Sequence, residues 1–326
     1  MTYSISQGKL DDLEKYYLSG ANNLHWPSVF VLPGWLNAWW QIFGAGFESQ
    51  VLIVREDNAV IGIAPLKLKD GVASFIGDNS VCDYQDFIVA HGKKGIFSQA
   101  LMNYLSGLGV RSLILETLRP ESVAGHNVVD EAKRRGKLVS CSRIEVSYEM
   151  DLPATWEQYL GSLESKQRRD VERKMRQIDT LAEVRFSILR DAEVQEIEIA
   201  TFFQMMADSR RDKSKFLTAQ MRSFFEEIEA AMSAYGLLRL AFLEVGLARV
   251  AAILYFEYND RIYLYNSGYM PQYAEMNVGL VSKLYCIRQA IEEHWKVFDF
   301  LKGPEVYKSR LGGREVELSR CVIDLQ

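Results

Sequence analysis

The segment Phe298-Asp299-Phe300-Leu301-Lys302-Gly303-Pro304-Glu305-Val306-Tyr307-Lys308-Ser309-Arg310-Leu311-Gly312-Gly313 is the most unusual stretch of the chain. An apolar run ends in a Gly-Pro turn, and Tyr307, Lys308 and Arg310 follow in quick succession before a glycine pair. Cations beside glycine-bared backbone suit binding of an anion or a carbonyl close to the main chain. A second concentration runs from Lys166 to Arg176, where Lys166, Arg168, Arg169, Arg173, Lys174 and Arg176 stand against Asp170 and Glu172. Val171, Met175 and Ile178 recur there at helical spacing, so the cations spread over the exposed face. Such a face is either simply solvated or a groove for an anionic ligand: a nucleotide-linked sugar, an acidic polymer or the phosphates of a donor.

Asp83-Tyr84-Gln85-Asp86 places two carboxylates three residues apart at a strand start. Asp83 or Asp86 could serve as general base toward an acceptor hydroxyl or amine, with Tyr84 beside it as a substrate contact. Trp35, Trp39 and Trp40 could stack on a sugar ring, Trp39 being the candidate contact, although helical spacing equally suits a packed core. His25, His91, His126 and His294 show no ligand spacing, and no Ser-His-Asp order is persuasive, so neither a metal nor a serine nucleophile is expected.

These residues need a scaffold, and 326 residues point to two domains at about 150 residues each. A content of 48% hydrophobic and 25% charged residues is that of a globular chain with sizeable cores. The net charge of −5 argues against a general nucleic-acid coat, so DNA is not an expected partner, while a local basic groove stays compatible. No uninterrupted apolar run reaches about 18 residues, so no transmembrane segment is expected. The start, Met1-Thr2-Tyr3-Ser4, lacks the cationic and apolar regions of a signal peptide. Cys82, Cys141, Cys286 and Cys321 are scattered, which fits reduced, mostly buried thiols in a cytoplasmic protein. There is no Gly-x-Gly-x-x-Gly after a first strand and no Gly-x-x-x-x-Gly-Lys-Ser/Thr, which argues against a dinucleotide fold and a P-loop.

A faint internal repeat organises the chain. In the first half, apolar runs at 51–54 and 60–64 flank Glu56-Asp57-Asn58; a strand at 72–76, a helix near 96–105 and a strand at 112–115 follow. The second half repeats that order: runs at 237–243 and 250–256, a strand at 262–265 after the Asn259-Asp260 turn, a helix over 277–293 and a strand at 297–300. The join falls near Asp151-Leu152-Pro153. The expected architecture is α/β of the mixed, α+β type, with domains over 1–150 and 151–326, each a mostly antiparallel sheet flanked by helices.

The C-terminal segment resembles the signature of the FemAB-like branch of the GNAT superfamily, the branch often labelled CelD-like or cellulose-biosynthesis-type acetyltransferases. Its Asp-Phe-Leu-x-Gly and Tyr-Lys-x-x-x-Gly pattern is matched from Asp299 through Gly312. Pro33-Gly34-Trp35-Leu36-Asn37-Ala38-Trp39-Trp40, Asp83-Tyr84-Gln85-Asp86-Phe87 and Ser165-Lys166-Gln167-Arg168-Arg169-Asp170 agree in order with that family.

The resemblance implies two tandem GNAT-like domains and transfer of an acyl group, most simply acetyl, from a thioester donor to an amine or hydroxyl. It implies no tightly bound cofactor, with acetyl-CoA or another acyl-CoA as co-substrate. The donor would enter a gap between splayed strands beside Leu254, Phe256, Tyr263 and Tyr265. Its pyrophosphate would meet the helix start at Asn277-Val278-Gly279, where one glycine of the usual loop is kept. By the same resemblance Lys308 would face an interdomain cleft and contact the donor carbonyl or a phosphate, and Tyr307 would protonate the leaving thiolate. Arg168, Arg169 and Arg310 would hold substrate, and a small-molecule or saccharide acceptor would lie between the domains. Partnership with a polysaccharide-biosynthesis machinery follows from the same likeness. tRNA is not expected, since no heptad run marks a coiled-coil insertion. Two other readings stay open: an aminoacyl-tRNA-dependent peptidoglycan branching ligase, and a non-catalytic binding or scaffold protein.

Overall fold

The computed structural model describes residues 3–20, 23–180 and 183–326. Met1 and Thr2 of the start read for a signal peptide lie outside the described residues. Two compact units emerge, Met1–Val146 with Val316–Gln326, and Ser147–Glu315.

The first unit holds β1 (Tyr3–Gly8), α1 (Leu13–Leu18), β2 (Leu24–His25), α2 (Pro33–Phe43), β3 (Glu48–Glu56), β4 (Ala59–Lys69), β5 (Val72–Phe75), β6 (Ile88–Ala90), α3 (Lys94–Gly107), β7 (Ser112–Leu118), α4 (Val129–Arg134) and the first part of β8 (Val139–Asp151). The second holds the end of β8, then α5 (Trp156–Ser162), α6 (Ser165–Asp179), β9 (Val184–Arg190), α7 (Glu196–Ser209), α8 (Arg211–Phe216), α9 (Ala219–Ala234), β10 (Leu238–Val245), β11 (Ala248–Tyr258), β12 (Arg261–Tyr269), α10 (Val278–Glu292), β13 (Val297–Lys302) and α11 (Val306–Arg310). Strand β14 (Arg314–Asp324) returns to the first unit from Val316 onward.

Both units follow one plan. In the first, β3, β4 and β5 form an antiparallel meander, α3 crosses, and β7 joins β5 in parallel. In the second, β10, β11 and β12 form the meander, α10 crosses, and β13 joins β12 in parallel. The β11–β12 hairpin turns on Asn259 and Asp260, both at positive φ (49° and 57°), which matches the right-handed strand twist. The closing strand of each sheet comes from elsewhere in sequence: β14 lies antiparallel to β7, and Ser147–Asp151 of β8 antiparallel to β13. A division at 150/151 therefore misplaces the last residues, because the apolar positions Cys321 and Ile323 of β14 are buried in the first core. In the second unit, Leu284, Ile287 and Ile291 of α10 pack against Ala251, Ile253 and Tyr255 of β11.

The cysteine expectation needs correction. Cys141 on β8 and Cys321 on β14 form a disulfide within the first unit, while Cys82 and Cys286 are buried free thiols. The pairing spans 180 residues and depends on the chain end coming back, which spacing alone does not display. No helix among the described residues is long and apolar enough to cross a membrane.

Candidate functional site

Strands β12 and β13 pair only from Arg261 opposite Val297 to Tyr263 opposite Asp299, although β12 runs on to Tyr269. A bulge in β12 accompanies the divergence: Leu254 faces Asn266 and Tyr255 faces Leu264, leaving Tyr265 as the extra residue. Beside the unpaired end of β12 lies a cavity of about 300 Å³, bounded also by the start of α10, the start of α8 and the turn after β13.

Two glycines allow these elements to meet. A Cβ on Gly268 would lie 2.3 Å from the Met206 backbone nitrogen, so α7 rests directly on β12 and delivers Ser209, Arg210 and Lys213 to the cavity. A Cβ on Gly279 would lie 2.9 Å from the Tyr269 ring, so only glycine lets that ring close over the first turn of α10. Asn277 precedes the helix at φ +58°, a left-handed conformation that asparagine tolerates. The first N–H groups of α10, those of Val278 and Gly279, have no intrahelical acceptor and carry the positive end of the helix dipole.

The inner wall carries two lysines. Lys283, 7% exposed, donates to Ser267 Oγ at 3.0 Å and to the Gly279 carbonyl at 2.8 Å. Lys213 donates to Asn266 Oδ1 at 2.9 Å and to the Ser267 carbonyl. Burial, with Arg210 as the next cause, lowers the Lys213 pKa to about 8. Burial, with Lys213 as the next cause, lowers that of Lys283 to about 7. Tyr307 forms another wall, its ring centre 5.1 Å from the Lys283 ammonium, and burial raises its phenol pKa well above the ordinary value. Burial pushes the Glu305 carboxyl up, but the charge and hydrogen bond of Lys308, with a backbone N–H and the Arg210 charge, together hold it below its usual pKa.

Tyr307 and Leu280 also border a larger groove of about 640 Å³ that runs along α6. Arg173 and Lys174 in this groove are paired to Asp170. Lys166, Arg169 and Arg310 line it without an acidic partner among the described residues.

Of the residues singled out in the sequence, Tyr307, Asn277, Gly279, Arg169 and Arg310 are brought together here. Others are placed differently. Val278 is fully buried in the core, and the bulged Tyr265 packs between Phe225 and Phe256, each 5.5 Å away. Arg168 is exposed and lines neither space. Lys308 does not present its ammonium to substrate: it is 2% exposed, and Nζ donates to the carbonyls of Leu301, Lys302 and Gly303 and pairs with Glu305. Its role is to hold the turn after β13.

In the first unit, Asp86 is buried and accepts backbone N–H groups from Phe87, Val123 and Ala124 at 2.8–2.9 Å, so it anchors a chain turn instead of standing free as a base. Tyr84 is buried against Phe30 and under the Arg119 guanidinium. Trp39 is 2% exposed, bonds Asp78 through Nε1 at 2.8 Å and carries Lys67 over its ring, so no sugar can stack on it. Asp83 is half-buried in that unit and lines neither the cavity nor the groove.

Lys213, Ser267 and Lys283 escaped the sequence reading. Lys283 interrupts the otherwise apolar face containing Leu280, Leu284 and Ile287, a signal that a snorkelling lysine would equally give. Lys213 sits in Arg210-Arg211-Asp212-Lys213, which reads as a solvated cluster.

Residues 165–309 match the family model described as the acetyltransferase (GNAT) domain. No curated protein matches the chain in sequence. Among solved structures, the chain is similar to FemX at 11% identity and TM-score 0.67, covering 98% of this chain and 96% of that one. It is similar to a conserved protein of unknown function from Bacteroides thetaiotaomicron at 10% identity and TM-score 0.63, covering 99% and 100%. A tandem GNAT protein from the clavulanic acid biosynthesis pathway aligns at 10% identity and TM-score 0.51, covering 99% and 98%. The fold is thus that of two GNAT-like domains in tandem, the family match lying in the second. The likeness in fold to FemX accords with the resemblance of the C-terminal signature to the FemAB-like branch.

Proposed function

We propose that the protein is an acyltransferase that takes its acyl group from a thioester donor such as acetyl-CoA and passes it to an amine or hydroxyl of a saccharide or amino compound. The observation that carries this reading is the parting of β12 and β13 beside a cavity that combines a helix N-terminus, two lysines and Tyr307. An anionic donor fits these residues: the N–H group of Gly279 can meet a phosphate oxygen, and Arg169 and Arg310 supply charge along the adjoining groove. Lys213 can stabilise charge that develops on the acyl oxygen, and Tyr307, held protonated, can supply a proton to the departing sulfur. Orientation of both reactants provides the remainder of the rate.

Calorimetric titration with acetyl-CoA and with free coenzyme A tests the reading, and binding of neither would remove it. A second reading, an aminoacyl ester of tRNA as donor, is favoured by the size of the basic groove on α6. Retention of charged tRNA together with indifference to acetyl-CoA would select it. Indifference to both would leave the non-catalytic reading.

A further inference from the structure

We propose that Lys283 is the proton acceptor of the transfer step, its Nζ taking the proton that the acceptor sheds as it bonds to the acyl carbon. The assignment rests on the reading that the acyl donor occupies the second-unit cavity.

The geometry argues first. Lys283 projects from the second turn of α10 into the cavity, and two protein acceptors, Ser267 Oγ and the Gly279 carbonyl, hold its nitrogen. Two acceptors account for both N–H bonds of a neutral amine, which leaves its lone pair for a ligand in the cavity. A charged ammonium would have a third N–H without an acceptor among the described residues.

The surrounding charges argue next. Arg210, ahead of α8, is paired to Asp212, and Glu305, after β13, is paired to Lys308 of α11. Lys213 of α8 is therefore the extra cation facing Lys283, and the neighbouring Cys286 thiol is buried and protonated, its pKa raised by burial. Burial and Lys213 together place the Lys283 transition at about 7. Of the other groups lining the cavity, Lys213 keeps its proton to higher pH, up to about 8, Tyr307 stays protonated, and the Glu305 carboxylate is stabilised by its partner.

The step balances. The acceptor nitrogen or oxygen bonds to the acyl carbon while the carbon–sulfur bond breaks. The acceptor proton passes to Lys283, the Tyr307 hydroxyl protonates the thiolate, and exchange with solvent then removes the proton from Lys283 and restores it to Tyr307.

The test uses the full chain with acetyl-CoA as donor and hydroxylamine as surrogate acceptor, followed by thiol release across pH. Wild-type kcat should rise through about pH 7 to a plateau. Lys283→Arg, which keeps a charge that cannot be lost, and Lys283→Met should each lower kcat ~10²-fold or more while acetyl-CoA affinity changes little. Lys213→Met should move the rising limb to higher pH, a change that a purely structural lysine would not produce. Competitive labelling with acetic anhydride, read by peptide mass spectrometry, reports the Lys283 protonation directly and needs no turnover. Retained kcat in Lys283→Arg, or labelling that follows an ordinary lysine titration, overturns the assignment. Failure of wild type to bind acetyl-CoA overturns the donor reading and this proposal with it.

Discussion

The Lys308 ammonium lies 3.0 Å from the carbonyl oxygen of Leu301, a residue held at φ +62° where β13 breaks register with β8. The left-handed conformation of a leucine is costly by itself, and the lysine fixes it from inside the following turn. Removal of the ammonium leaves buried carbonyls without a donor, at about 1–3 kcal/mol. Lys308→Met should therefore lower the melting temperature by several degrees, at about 2–4 °C per kcal/mol for a unit of this size. An unchanged melting curve would refute the structural role.

Asp86 makes stability depend on pH. Burial raises its pKa from 3.8 to about 6, against the opposing backbone N–H groups of Ala124, Val123 and Phe87. A folded-state value above the unfolded one means that the contribution is complete below the unfolded pKa and is lost as pH rises through about 6. The urea midpoint of wild type should fall more than that of Asp86→Asn between about pH 5 and pH 7. Parallel midpoints would show that Asp86 ionises normally.

The groove on α6 discriminates between two adjacent arginines. Arg169 and Arg310 line it, and Arg168 does not. Charge reversal of Arg169 and Arg310 together should weaken binding of an anionic donor by an order of magnitude or more at low salt, while Arg168→Glu leaves it within error. Exposed charges of this kind contribute little to stability, at about 0–1 kcal/mol, so both variants should melt near wild type. Equal loss in the two variants would return α6 to a solvated face.

Tyr307→Phe keeps the ring that separates cavity from groove and deletes only the hydroxyl. Slower turnover with unaltered donor affinity, measured by single-turnover kinetics and calorimetry, is expected on the proton-donor role. Wild-type turnover would assign Tyr307 to packing alone.

The meanders, the crossing helices and their parallel strands were legible because each carries a strong local signal: apolar runs at 250–256 and 262–265 joined by Asn259-Asp260, and the apolar face of α10. Asn277, Gly279 and Tyr307 came into view through the family resemblance, and they line the cavity. The closing strands were not legible, since β14 and the end of β8 are specified by partners far away in sequence. The same limit explains one lysine that was misplaced and one that was missed. Lys308 beside Gly303-Pro304 looks like a surface cation, and only the three-dimensional turn shows that three carbonyls consume it. Lys283 looks like part of a packing face, and only the parting of β12 from β13 reveals a polar cavity there. Asp86, Tyr84 and Trp39 carry chemistry by residue type, but burial commits each of them to the architecture of the first unit.

The most direct measurement is a crystal structure of the protein grown with acetyl-CoA. The account predicts the thioester carbonyl within hydrogen-bond reach of Lys213, the sulfur near the Tyr307 hydroxyl, and the phosphates against the start of α10 or the Arg169–Arg310 groove. Density for the donor elsewhere, or an empty cavity at saturating acetyl-CoA, would contradict it.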